Sequence, residues 1–152
     1  MALWVILYGL IQANAPRILR ARTRPTDELI KAARGWAWSL AAVPAILTGI
    51  AIIAGEPQLW LTISLVTGLL IFGVVFAVNS SLHSYLILTF TKAERVTMDV
   101  GFYYMANAAG RLAGTLLSGI TYQIGGLPLM LGVAAFMVAL SAMMVGFLKP
   151  ER

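Results

Sequence analysis

Cysteine is absent from the 152 residues and histidine occurs once. The first absence excludes disulfides, thiolate metal sites and a cysteine nucleophile. The second leaves His83 without the companions that a metal site needs. Charge is also scarce, since Asp, Glu, Lys and Arg together make up 11% of the chain where soluble domains carry about 25%. No paired intramembrane acids, no glycine-rich phosphate loop closed by Lys and Ser/Thr, and no serine placed beside a base can be found, so the sequence carries no enzyme signature. Cofactors and metals are accordingly not expected.

Hydrophobic residues are abundant instead, at 60%, with a mean hydropathy of +0.86. A single core cannot hide that much apolar surface from water, and a bilayer is the natural solvent for it. The net charge of +5 does not call for nucleic acid, because the basic residues fall in short stretches between apolar runs and no basic face with interleaved aromatics occurs.

Five apolar runs follow one another: 1–15, 36–54, 59–88, 100–124 and 127–148. A hydrocarbon core of ~30 Å takes roughly 20 helical residues, so the last four are long enough to span it and the first reads as a helix whose start is missing. Backbone groups in lipid must bond internally, and none of the runs alternates as a barrel strand would, so the expectation is an all-α polytopic membrane helix bundle. Pro25, followed by Thr26, Asp27 and Glu28, reads as a helix start, placing a short helix ahead of the second span. Pro44 predicts a bend within that span, and Gly125-Gly126 reads as a turn.

The connections set the orientation. The link 16–35 holds Arg17, Arg20, Arg22, Arg24, Lys31 and Arg34; the link 91–99 holds Lys92 and Arg95; the tail holds Lys149 and Arg152; the two remaining links hold no basic residue. This alternation predicts that 16–35, 91–99 and the C-terminus are cytoplasmic and the N-terminus lies outside an inner membrane. Ala13-Asn14-Ala15 resembles a signal-peptidase site, but no basic region precedes it, and cleavage there would invert the alternation. The short outer links predict tight hairpins of the second with the third span and the fourth with the fifth.

Arg111 is the most informative residue. It lies near the middle of the fourth run, where an arginine costs at least ~2.5–3.5 kcal/mol on insertion scales and should face a cavity or a partner. Tyr104, Asn107, Arg111, Thr115, Ser118 and Tyr122 follow at steps of three or four and make one polar helical face. Beside it, Ala106, Gly110, Gly114 and Ser118 form a small-residue ridge suited to close helix packing. None of the acids lies at the depth of Arg111, which favours a small anionic ligand over a purely stabilising role. A second polar group, Asn79, Ser80, Ser81, His83 and Ser84, occupies the inner half of the third span. His83 there either binds substrate or carries a proton, or is simply hydrogen-bonded to a neighbour. Met143 and Met144 read as packing.

The run FGVVFAVNSSLHSYLIL (72–88) and the run VGFYYMANAAGRLAGTLLS (100–118) resemble the ArsJ-type organoarsenical efflux permeases of the major facilitator superfamily, and the opening LWVILYGLIQANAPRILR is similar to an earlier part of the same pattern. The resemblance implies that the chain corresponds to the last five of twelve helices, a partial major-facilitator C-terminal half. It also implies export of an organoarsenical anion, an arsenylated phosphoglycerate, by secondary active alternating access. Arg111, Asn107, Tyr104, Asn79 and His83 would then bind substrate. Ser80, Ser84, Thr115 and Ser118 would line the pathway, while Gly110 and Gly114 would pack helices. The expected partners are the bilayer, the small anion and a missing N-terminal half, since rocking two halves is how such proteins alternate access. The rival expectations are a facilitator for another organic anion or drug, and a truncated, non-transporting membrane protein.

Overall fold

The computed structural model describes residues 2–19, 24–91 and 93–148; of the basic residues that predict the orientation, Arg20, Arg22, Lys92, Lys149 and Arg152 lie outside the described residues. The described chain is all-α. Helix α1 covers Ala2–Ile18, α2 Thr26–Ala54, α3 Leu59–Phe90 and α4 Val96–Val145, with a single 3-10 turn at Ala93–Arg95. Helices α2, α3 and α4 are long and apolar enough to cross a membrane.

Helix α2 begins at Thr26, directly after Pro25, whose extended backbone (φ −60°, ψ 150°) stops the helix from starting earlier; Asp27 and Glu28 occupy its first turn, where carboxylates favour the helix dipole. The short helix expected ahead of the second span is therefore the first part of α2 itself. The helix continues through buried Pro44. The proline does not break it, and the carbonyl of Pro44 accepts a 2.7 Å bond from Thr48 Oγ1. At its end Gly55 adopts φ +65°, ψ −57° and its N–H bonds the Ala51 carbonyl, a positive-φ turn that glycine reaches at little cost.

Helix α4 is formally 50 residues, but Gly125 (φ −139°, ψ 19°) and Gly126 (φ +64°, ψ −158°) are non-helical and divide it into limbs 96–124 and 127–145. Pro128, in the first turn of the second limb, lacks an N–H that would have had no helical partner there. The expected glycine turn is thus present as a break in the helix.

Packing is concentrated at one end of the bundle, called here the basic end. Ala15 and Leu19 near the end of α1, Leu29, Ile30, Ala33 and Ala37 of α2, Val78, Leu82 and Leu86 of α3, and Ala142 and Val145 of α4 form one buried cluster. At the far end, Ala51, Ala54 and Leu61 join Leu127 and Leu131. The two clusters place α2 antiparallel to both α3 and the second limb of α4. Alanine is frequent at these contacts, as expected where helices associate through close van der Waals approach rather than by leaving water. Gly68 marks a close approach of α3 to α2: a Cβ there would lie 2.7 Å from Leu47 Cδ2. Large aliphatics such as Ile46, Ile53, Leu59 and Ile63 face outward, the arrangement a lipid surroundings requires.

The first limb of α4 differs from the rest. Every residue from Tyr104 to Ile120 is exposed, and Thr121 is the limb's only buried residue. The expected tight hairpin of the fourth and fifth runs is not formed as a packed pair. The aliphatic face of this limb, Leu112, Leu116 and Ile120, is as exposed as its polar row.

Candidate functional site

The polar row of the first limb is continuous in the structure. Tyr104, Asn107, Arg111, Thr115, Ser118 and Tyr122 all lie within unbroken helix and all are exposed. Several of these groups satisfy themselves on their own helix: Asn107 Nδ2 donates to the Tyr103 carbonyl at 3.2 Å and Thr115 Oγ1 to the Arg111 carbonyl at 2.8 Å. The same i−4 return occurs at Asn14, Ser39, Thr48 and Thr89. It is the economical solution for a hydroxyl or amide in lipid, where no water can take the proton. The Tyr103 and Tyr104 rings meet at 5.6 Å with a 57° tilt.

Arg111 has no such solution. Five donors on a permanently charged guanidinium need acceptors outside the helix. Among the described residues no carboxylate pairs with it; the ion pair recorded, Arg24 with Glu28 at 4.0 Å, lies at the basic end. Asp27, Glu28, Glu94 and Asp99 also sit at or near that end, and Glu56 at the opposite one. Fifteen residues into its helix, Arg111 stands about 22 Å along the axis from Val96, close to mid-span.

Asn79, Ser80, Ser81, His83 and Ser84 are half-buried on α3. His83 Nδ1 lies 2.9 Å from the Asn79 carbonyl. A carbonyl only accepts, so Nδ1 carries the proton and Nε2 keeps its lone pair in the neutral ring. Among the described residues Asn79 Oδ1 and Ser81 Oγ are buried without a hydrogen-bond partner, a cost that a ligand or a further helix would relieve.

The two polar groups do not converge on one cavity. His83 lines a cavity of about 380 Å³ with Phe90, Thr91, Asp99, Phe102 and Leu148, at the basic end, and the polar row of the first limb is not part of it. His83 stands about 10 Å along the axis from the end of α3, roughly half as deep as Arg111. Asn79, one turn deeper, is nearer the level of Arg111. Gly110 and Gly114 likewise meet nothing: a Cβ at either position would have no heavy atom within 4 Å.

No protein family, curated protein or solved structure matches the chain. Its chemistry must therefore be read from these side chains alone. An arginine flanked by an amide and a phenol suits a compact oxyanion, which a guanidinium grips through parallel N–H bonds.

One polar contact escaped the sequence reading. Arg34 counts there only as a topological charge, yet its Nη2 donates to the Gly146 carbonyl at 2.6 Å and to the Leu148 carbonyl at 3.1 Å. It closes the open carbonyls at the end of α4 across more than a hundred residues of chain. A signal existed, because Arg34 follows Ile30 by one turn and adjoins Ala33 and Ala37 on the buried stripe of α2.

Proposed function

We propose that the chain is part of a membrane efflux transporter of the major facilitator type, forming most of its C-terminal half and exporting an organoarsenical anion such as an arsenylated phosphoglycerate. In this reading α1, α2, α3 and both limbs of α4 cross the inner membrane, with the N-terminus outside and the basic end in the cytoplasm. Arg111 holds the anionic head, and Asn107 and Tyr104 hydrogen-bond it. Asn79 and His83 contribute from α3, and Ser80, Ser84, Thr115 and Ser118 line the route. Alternating access requires a second half, which covers the exposed first limb of α4.

The single observation that supports this reading best is the unpaired mid-span Arg111 within a continuous polar row. An uncompensated charge at that depth is costly, and a ligand or passage is what such residues usually serve. The reading is tested in the assembled transporter by Arg111→Leu. Export, measured as growth protection in arsenate and as arsenical release from loaded cells, should fall at least tenfold while membrane insertion stays intact; unchanged export would remove Arg111 from the site. Protection against an unrelated organic anion but not against arsenate would shift the reading to a different cargo. No flux of any substrate would favour a non-transporting membrane protein.

A further inference from the structure

The cavity of about 380 Å³ at the basic end has an electrostatic character opposite to that of Arg111. Its charged wall residue is Asp99, in the first turn of α4. No lysine or arginine lines it among the described residues. Thr91 marks where the 32-residue helix α3 terminates, and no basic residue stands in that last turn. The open carbonyls of a helix C-terminus carry partial negative charge, and among the described residues no cationic side chain lines the cavity to balance it. His83, with Nδ1 committed to the Asn79 carbonyl, offers a further acceptor at Nε2. Phe90 and Phe102 supply two aromatic rings, whose faces attract cations, and Leu148 completes an otherwise apolar wall. Leu148 is held in place because Arg34 grips its carbonyl and that of Gly146.

We infer that this cavity binds an amphiphilic ammonium group, with the cationic nitrogen at Asp99 and His83 and the attached hydrocarbon along Phe90, Phe102 and Leu148. An anion is disfavoured by Asp99 and the helix end together. A small hydrophilic cation would leave the apolar wall unused. The cavity lies where α3 ends and α4 begins, at the ends of two helices long and apolar enough to cross a membrane, so the same chemistry is offered by two sources: an aminophospholipid headgroup and a free alkylammonium. His83 is the one residue the cavity shares with the proposed anion site; Arg111 does not line it, so the inference does not depend on what Arg111 holds.

The test uses the full chain in dodecyl maltoside micelles and reads the thermal unfolding midpoint against ligand concentration. Phosphatidylethanolamine and dodecylammonium are the two ammonium probes, with phosphatidylglycerol and dodecanol as controls that keep the chain and lose the cation. The midpoint should rise with an ammonium probe and not with its control. Stabilisation by phosphatidylethanolamine alone assigns the site to a headgroup, by dodecylammonium alone to a free solute, and by both to either source. Asp99→Asn should weaken apparent affinity roughly tenfold, the loss of one charge-assisted contact. Phe102→Ala should weaken it about threefold to fivefold. Phe102 is 58% exposed, so its truncation leaves the fold intact and decides the matter should Asp99→Asn fail to fold. Equal stabilisation by the controls, no stabilisation by either ammonium, or wild-type affinity in both variants would overturn the inference.

Discussion

The two limbs of α4 differ in sequence and in surroundings: limb 96–124 carries Asp99, Asn107, Arg111 and Gln123, whereas limb 127–145 has no charged or amide residue. Limb 127–145 lies along α2, with Ala142 and Val145 buried against Leu29, Ile30 and Ala33. Limb 96–124 is exposed along almost its entire length. Both carry small residues at helical spacing, so small residues alone do not decide whether a helix is packed. What separates them is the polar row of the first limb, with Arg111 at its centre. A bilayer accepts an exposed leucine without cost, whereas an exposed arginine at mid-span demands a partner. The packed limb is complete within this chain, and the exposed limb is chemically unfinished.

The sharpest way to break this comparison is to damage the packed side. Leu82 is fully buried at the centre of the basic-end cluster. Leu82→Ala should destabilise the chain by about 2–5 kcal/mol, through lost contacts and the cavity left behind, read as unfolding on titration from dodecyl maltoside into dodecyl sulfate. Leu112, 65% exposed on the first limb, should tolerate the same change within about 0.5 kcal/mol. Equal losses at both positions would mean that the first limb is packed after all.

The junction between the limbs comes next in size. Gly126 sits at φ +64°, ψ −158°, a backbone region essentially confined to glycine, where a side chain costs about 1–3 kcal/mol. Gly126→Ala should lower stability by that amount in the same titration. A neutral result would show that the chain passes between the limbs in a different backbone conformation.

Much of the helical architecture was legible in the sequence because hydropathy runs and punctuating residues are local signals. Pro25 with Asp27 and Glu28 marks the start of α2, Gly55 its end, and Gly125-Gly126 the break in α4. Packing was less legible, since in lipid the apolar side chain that faces a helix and the one that faces an acyl chain are alike. The expected hairpin of the last two runs illustrates the limit: a short link brings two helix ends together and does not make their flanks complementary. Arg111 stood out because charge in an apolar run is conspicuous at any distance. The contacts of Arg34 with Gly146 and Leu148 did not, because they depend on how α2 and α4 align. Asp99 read as a span end, and only the fold placed it across a cavity from His83.

The smallest expected effect is the most discriminating, because one kind of substitution should change sign between regions. Alanine is preferred over glycine in a helix by about 1 kcal/mol. At Gly110 the new methyl would meet nothing within 4 Å, so Gly110→Ala should raise the stability of this chain by up to about 1 kcal/mol. At Gly68 the methyl would lie 2.7 Å from Leu47 Cδ2, and displacing that side chain should consume the helical gain and leave a net loss of up to about 1 kcal/mol. Thermal midpoints in dodecyl maltoside would therefore move in opposite directions. If the chain is part of a transporter as proposed, adding the other half sharpens the test. If a second helix lies against the ridge of Ala106, Gly110 and Gly114, the Gly110 methyl becomes an obstruction, and a gain in the chain alone should turn into weaker association of the halves. A gain that persists in the assembly would leave that ridge facing lipid, and the covering of the first limb would have to come through its polar face alone.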